Sequence, residues 1–259
     1  MAPSSPHIRI GTAAWSIPRE YADQFGEGDS VLARYATRFD TVEINSSFYR
    51  PHRAATYARW AASVPKDFRF AAKLPQEISH ELALRRAGAA LDRFLDQVAG
   101  LGDRLGCLLL QLPPSQAFSA RVAATFFGML RRRTAVPTTC EPRHASWFTP
   151  AADALLKRHV ISRAAADPAR VPEARVPGGD PTTPYFRWHG SPRIYYSAYE
   201  PPALESLARE VLAVAGPRRE AWVIFDNTAH GFATRDALQL RALLAPAGAG
   251  SRSRAAARR

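Results

Sequence analysis

Residues 39–51 read FDTVEINSSFYRP. The run opens with apolar and β-branched residues, the composition of a strand buried in a parallel sheet. Glu43 and Asn45 interrupt it one strand period apart, which places both side chains on one face. A buried carboxylate is costly unless it is paired or used. The stretch is therefore a strand, read here through to Tyr49, that ends either in a structural ion pair or in a functional site.

Seven further runs of this kind flank it: HIRIGTAAW (7–15), FRFAAKLP (68–75), GCLLLQLPP (106–114), PTTCEPRH (137–144), HVISRAAADP (159–168), PYFRWHG (184–190) and AWVIFDNT (221–228). Segments with apolar residues three and four apart separate most of them, and these predict helices over 29–39, 54–64, 87–101, 120–133, 151–159, 202–215 and 234–245. The exception is DPARVPEARVPGGDPTT (167–183), too rich in Pro and Gly for a helix and read as a long, functional loop. Eight strands alternating with helices predict an α/β chain folded as a single (β/α)8 TIM barrel over residues 7–246. The competing doubly wound sheet wants a GxGxxG turn after its first strand, and GTAAWSIP offers only Gly11.

A hydrophobic fraction of 46% with five Trp is enough to build a core, and no apolar run approaches the ~20 residues needed to cross a bilayer. The opening MAPSSPHIRIG lacks a basic-then-apolar leader pattern, and Cys107 and Cys140 both lie inside strand-like runs. These features predict a cytoplasmic protein with buried free thiols and no membrane partner. The net charge of +12 comes almost wholly from Arg, since Lys occurs only at 66, 73 and 157. Such a surplus favours anionic partners and non-specific contact with nucleic acid without specifying either. Residues 247–259 hold four Arg in a Gly, Ser and Ala background with nothing to bury, and are read as a disordered basic tail. No oligomeric state follows from the sequence.

In such barrels chemistry gathers at the carboxyl ends of the strands. There the sequence places Trp15; Glu43, Asn45 and Tyr49; Lys73; Gln111; Glu141, Arg143 and His144; Asp167; Arg187 and His189; and Asp226 and Asn227. Taken singly, each charge could be balanced by a neighbour in the interior. A network of this size is poor stabilisation, because desolvation can exceed the Coulomb gain, so the set reads better as a ligand site. Lys73, Arg143 and Arg187 would crowd a dication and no HxH or HExxH pairing occurs, so no metal and no cofactor is expected. The same cations, with Trp15, Tyr49, Trp147 and Trp188 at the rim, suit a small anionic or sugar-like ligand held also by Asn45, Gln111, Asp226 and Asn227. No GxSxG elbow or Walker loop appears. Acid–base catalysis is left, with Glu43, Glu141, His144 and His189 as the candidates, unranked.

The segments IRIGTAAW, VEINSSFY, FRFAAKLPQEISH, LGCLLLQLPPS, EPRHASW, YFRWHG and VIFDNTAHGFATRDALQL resemble, in order, the signature segments of the YecE-like family, domain of unknown function 72. The resemblance runs from about Ile8 to Leu244 and implies a TIM barrel. It also implies that Trp15, Glu43, Asn45, Tyr49, Lys73, His80, Gln111, Glu141, Arg143, His144, Trp147, Arg187, His189 and Asn227 occupy signature positions. Two departures stand out: Phe225-Asp226-Asn227 where the family usually has Phe-Asn-Asn, and Pro142 where an aromatic is common. The resemblance supplies no reaction. A suggested likeness to endonuclease IV barrels implies a nucleic-acid role, but the seven His residues do not show that type's zinc-cluster pattern. The expectation is a metal-independent acid–base enzyme; the alternatives are a nucleic-acid-binding barrel and a non-catalytic small-molecule binder.

Overall fold

A computed structural model of the chain describes residues 7–217 and 219–245; the predicted basic tail lies outside them. The fold is mixed α/β with parallel sheets. Ten strands occur among the described residues: β1 (Ile8–Thr12), β2 (Thr41–Ile44), β3 (Arg69–Lys73), β4 (Leu105–Gln111), β5 (Thr138–Glu141), β6 (Ile161–Arg163), β7 (Ala165–Asp167), β8 (Gly178–Gly179), β9 (Tyr185–Trp188) and β10 (Ala221–Phe225). The helices are α1 (Val31–Tyr35), α2 (Ser46–Tyr49), α3 (Ala54–Ala62), α4 (Gly88–Val98), α5 (Ala120–Arg133), α6 (Pro150–Arg158), α7 (Pro201–Val214) and α8 (Phe232–Leu244). No helix among them is long and apolar enough to cross a membrane.

The strands form two sheets, ordered β1-β10-β9-β7 and β2-β3-β4-β5-β6-β8, and every pairing is parallel except that of β8 with β6. The single eight-stranded ladder expected from the sequence is thus interrupted. One interruption is at Ala164, which separates β6 from β7 within what reads as one strand; its N–H still donates to the Cys140 carbonyl at 2.8 Å. The other lies between β1 and β2. Here the Tyr35 hydroxyl accepts from Thr12 N at 2.9 Å and lies 3.1 Å from the Thr41 carbonyl, so a side chain takes the place of a ladder bond. Beyond it, Ala13 and Glu43 form an isolated parallel bridge. Gly11 permits this approach, because a Cβ there would sit 2.1 Å from the Thr41 carbonyl oxygen.

Two further differences from the sequence reading concern the ends of strands. The strand expected through Tyr49 stops at Ile44, and residues 46–49 turn into the short helix α2, which carries Tyr49 outward to 72% exposure. The long loop at 167–183 contains a 3-10 turn at Pro172–Arg175 and the two-residue strand β8. Elsewhere local chemistry and structure agree. Ser30 caps α1 by accepting from Ala33 N at 3.1 Å, and Thr149 caps α6, which begins with Pro at its first position.

Strand parity divides the buried side chains into two clusters. Val42, Ile44, Phe70, Ala72, Phe186, Trp188, Val223 and Phe225 face the helices in the main core. Ala13, Ala71, Cys107, Ala164, Tyr185, Trp222 and Ile224 face the other way and form a small second core of their own. Cys107 and Cys140 are both buried and unpaired. The Tyr185 and Trp222 rings stack, with centroids 6.0 Å apart, and make an apolar floor.

Tyr35→Phe removes the hydroxyl between β1 and β2 and leaves Thr12 N–H without its partner in a buried place. The expected loss is about 1–3 kcal/mol in urea unfolding, the usual penalty for a stranded buried polar group. An unchanged midpoint would mean that the strands close directly on one another.

Candidate functional site

On the same face as that floor, one step further toward the strand ends, the side chains become charged. Arg187 follows Tyr185 on β9, and Glu43, Glu141 and Asp226 come from β2, β5 and the residue after β10. Arg187 donates from Nε to Glu43 Oε2 (2.9 Å), from Nη2 to Glu43 Oε1 (2.6 Å) and Asp226 Oδ2 (3.0 Å), and from Nη1 to Glu141 Oε2 (2.6 Å). Its fork on Glu43 is the bidentate geometry that makes guanidinium–carboxylate pairs strong. The Tyr185 hydroxyl completes Glu43 with a bond of 2.9 Å. Arg187, Glu43 and Glu141 are fully buried.

His189, next on the same face of β9, stands between two carboxylates. Its Nδ1 is 3.0 Å from Asp226 Oδ2 and its Nε2 is 3.0 Å from Glu141 Oε1. Arg143 Nη2 lies 2.6 Å from the same Glu141 oxygen and 2.9 Å from His189 Nε2. A protonated Nε2 donates to Glu141; an unprotonated one accepts from Arg143. These two arrangements exclude one another, so the ring's proton decides which neighbour it binds. Asn45 Nδ2 reaches Asp226 Oδ1 at 3.3 Å, and its own Oδ1 is buried with no partner among the described residues, as is Arg143 Nε.

The electrostatics follow from burial and pairing. Burial alone would raise the Glu141 carboxyl, but Arg143, Arg187 and His189 outweigh it and hold the group well below the usual carboxylate range. Asp226 is lowered in the same way: burial opposes, while Arg187, His189 and Lys73 prevail. Lys73, at the end of β3, is pushed down to about 8, first by burial and then by the nearby Arg187. Its Nζ sits 4.3 Å from the centre of the Phe48 ring.

Several residues expected at the site lie on other faces. His144 accepts at Nδ1 from Ser146 N (3.2 Å) and caps the turn Ala145–Trp147. Trp147 is buried and donates its indole N–H to the Gln116 carbonyl at 2.9 Å. Asn227 turns toward α8 and donates to Asp236 Oδ2 at 2.7 Å, and Asp167 accepts from the Tyr199 hydroxyl at 2.8 Å. Trp15 packs edge-on against Trp60; Gln111, by contrast, keeps the parity of inward-facing Cys107 and is half-buried at the end of β4. Tyr185 and Tyr195 have no place in the sequence reading. Tyr195 has φ of 70°, a strained value for a bulky residue, and holds its ring edge-on to His189 with centroids 6.0 Å apart. Beside the charged layer, past the ends of β3, β4 and β5, a cleft of about 240 Å³ is lined by His80, Gln116 and Trp147 among others. Among the described residues, no three His, Cys, Asp or Glu side chains are disposed to hold a metal ion.

Because Glu141 and Asp226 are held below their unfolded values, their stabilisation is complete above the ordinary carboxylate range and fades as pH falls through the depressed folded values. Arg187→Met leaves three buried carboxylates short of the guanidinium they share, and about 3–5 kcal/mol of stability should disappear at neutral pH. Without Arg187, Glu141 and Asp226 are expected to rise, so acidification toward about pH 5 relieves the variant's burden while the wild type, still above the ordinary carboxylate range, keeps its stabilisation. The deficit measured by urea unfolding at about pH 7.5 should narrow toward about pH 5. An equal deficit at both would mean that Arg187 is not what holds these groups ionised.

The chain has a stretch 36% identical over 106 residues to the UPF0759 protein YecE of Escherichia coli K12; the match covers 41% of this chain and 38% of that protein. It is 21% identical to the UPF0759 protein YunF of Bacillus subtilis 168 over 92% of its own length and 94% of YunF's. Among solved structures it is similar to a DUF72 family protein from Thermotoga maritima MSB8, with a TM-score of 0.76, 24% identity, and coverage of 92% of this chain and 99% of that one. A DUF72 family protein from Enterococcus faecalis V583 gives the same TM-score and identity over 95% of its length, and both likenesses show the fold. The family model described as protein of unknown function DUF72 matches residues 9–258, and with that match the chain belongs to this family.

Proposed function

We propose that the chain completes a single (β/α)8 barrel over residues 7–246 and uses the C-terminal mouth for metal-independent acid–base chemistry on a small, sugar-like molecule. The barrel reading is supported by the Ala13–Glu43 bridge between the two sheets, by the continuity of β6 and β7 through Ala164, and by the inward-facing second core. The observation that carries the chemistry is the His189 ring, set between Asp226 and Glu141 with Arg143 competing for Nε2. A proton taken up or given out at Asp226 can be compensated by His189 and Arg143 without moving the backbone. His189 itself is sealed from solvent, so it acts through Asp226 and Arg143, whose side chains keep 8% and 9% exposure.

The ligand's character follows from the charge balance. Glu43, Glu141 and Asp226 face Arg143, Arg187 and Lys73, so the layer has little surplus charge to offer a strongly anionic group. A polyhydroxyl compound, which both donates and accepts, fits better than a bare phosphate. Asn45 Oδ1 offers an acceptor without a partner among the described residues, and Tyr195, edge-on to His189, offers an apolar face for the carbon skeleton. Two buried free thiols suit a reducing cytoplasm.

A thermal-shift screen against aldoses, ketoses, their phosphates, nucleotides and short duplex DNA tests the reading. A ligand at a hundred times its Kd adds about 2.7 kcal/mol, which for a chain of this size moves the midpoint by roughly 5–10 °C. Sugars should give such a shift and Asp226→Ala should lose it. Stabilisation by DNA alone, unaffected by Asp226→Ala, would favour a nucleic-acid-binding barrel instead.

A further inference from the structure

We infer that Lys73 is a carbonyl-reactive amine, placed to form an imine with an aldehyde or ketone group of the molecule bound in the mouth. The inference rests on the proposal that the mouth binds a small molecule, and it adds a covalent step and a substrate class. Three observations carry it.

The first is that Lys73 stands apart from the other cations of the layer. Arg187 and Arg143 are both engaged by carboxylates within 2.6 Å. Lys73 Nζ makes no hydrogen bond or ion pair among the described residues and lies over the face of Phe48, 4.3 Å from the ring centre. An ammonium in that position lacks the anion that would fix its proton.

The second is where the amine points. Lys73 shares the inward face of β3 with Ala71, and its carbonyl is fixed from below by the Ser47 hydroxyl at 2.6 Å. Lys73 as a whole is 5% exposed, so the residue is almost entirely withdrawn from water. A desolvated amine on the inward face, beside the charged layer, is disposed toward a carbonyl bound there.

The third is the charge around it. The groups acting on Lys73 are Arg187 of β9, Glu43 of β2, Asp226 after β10 and Glu141 of β5, with His80 on the turn after β3. The three carboxylates are already committed to guanidinium and imidazole groups, so burial and Arg187 dominate and push the amine down to about 8. Lysines desolvated beside another cation are the ones that serve as imine-forming nucleophiles. The chain's other lysines contrast with it: Lys66 is exposed, and Lys157 is exposed and paired with Asp153 at 2.8 Å.

The step balances without a further reactant. The neutral amine's lone pair forms the C–N bond as the carbonyl π pair moves to oxygen, and that oxygen takes a proton. The nitrogen passes one proton to that hydroxyl, the carbinolamine C–O bond breaks with its pair leaving on oxygen as water, and the nitrogen lone pair forms the C=N bond. One amine, one carbonyl and one proton give one protonated imine and one water.

Sodium borohydride reduction of the full chain incubated with glycolaldehyde or D-glyceraldehyde, followed by peptide mapping, tests the inference. At about pH 7 the adduct should fall on Lys73 on the order of tenfold or more above Lys66 and Lys157, since each unit of lowered pKa gives about tenfold more free amine. Its yield against pH should reach half-maximum near the value of about 8 held by Lys73. Lys73→Arg keeps the cation and should lose the adduct. The double variant Lys66→Arg/Lys157→Arg, altered only at the surface, should retain it. Adducts spread evenly over the three lysines, or confined to Lys66 and Lys157, overturn the imine. If wild type and Lys73→Arg show the same sugar-induced thermal shift but no Lys73 adduct forms, the imine fails and small-molecule binding stands. If neither shows a thermal shift and no Lys73 adduct forms, the binding reading itself has failed.

Discussion

The guanidinium of Arg187 joins the two sheets. It belongs to β9 of the four-stranded sheet, and of the three carboxylates it binds, Asp226 follows β10 of that sheet while Glu43 and Glu141 lie on β2 and β5 of the six-stranded one. No continuous ladder runs between β1 and β2, where Tyr35 is inserted, so the buried ions span a boundary that backbone bonds only partly cross. Burying four charges is expensive, and well-packed apolar residues could fill the same volume with equal or greater stability. What an apolar filling would not supply is direction. A planar fork with fixed donors admits one placement of Glu43, Glu141 and Asp226, so the strand ends are set relative to one another by hydrogen-bond geometry.

That layer in turn needs the floor beneath it. Tyr185 is the residue where apolar interior becomes polar: its ring stacks on Trp222 and its hydroxyl donates to Glu43. At the opposite end of the strands Arg9 lies 5.8 Å from the Trp222 ring and pairs with Glu220 at 2.7 Å, closing the apolar stack from below. The same parity that brings Arg187 above Tyr185 places Asp226 above Ile224, and Lys73 above Ala71. A single alternation, carried along each strand, therefore builds both the apolar filling and the charged layer.

That alternation also explains how much was legible in the sequence. Glu43 with Asn45, Glu141 with Arg143, and Arg187 with His189 are each two residues apart, and the structure brings all six into contact with a single network. Asn227, His144 and Asp167 are one residue out of step with the inward set and engage Asp236, Ser146 and Tyr199 instead. Counting parity from the apolar core of each strand, rather than taking every polar residue near a strand end, separates the two groups before any coordinates are known. The helix at Ser46–Tyr49 could not be found this way, because an aromatic run after a strand fits either state and only packing of Phe48 over Lys73 decides it. Tyr195 was hidden for a different reason: its left-handed backbone is set by the return of the chain over His189, which is tertiary in origin.

Burial within the layer sorts its charges by what they can meet. Glu43, Glu141, Arg187 and His189 are sealed, whereas Asp226, Arg143 and Lys73 keep a few per cent of their surface. The accessible part of the layer thus consists of one carboxylate, one guanidinium and one amine, each tied electrostatically to the sealed set behind it. The carboxylate and guanidinium are positioned through shared partners, Arg187 and His189 for Asp226, and Glu141 and His189 for Arg143. Among the described residues, the amine has the Phe48 ring beside it and no hydrogen-bonding partner. Freedom at the amine proposed to form a covalent bond, beside rigidity at the groups proposed to hold the ligand, is the division of roles that a site combining orientation with nucleophilic attack requires.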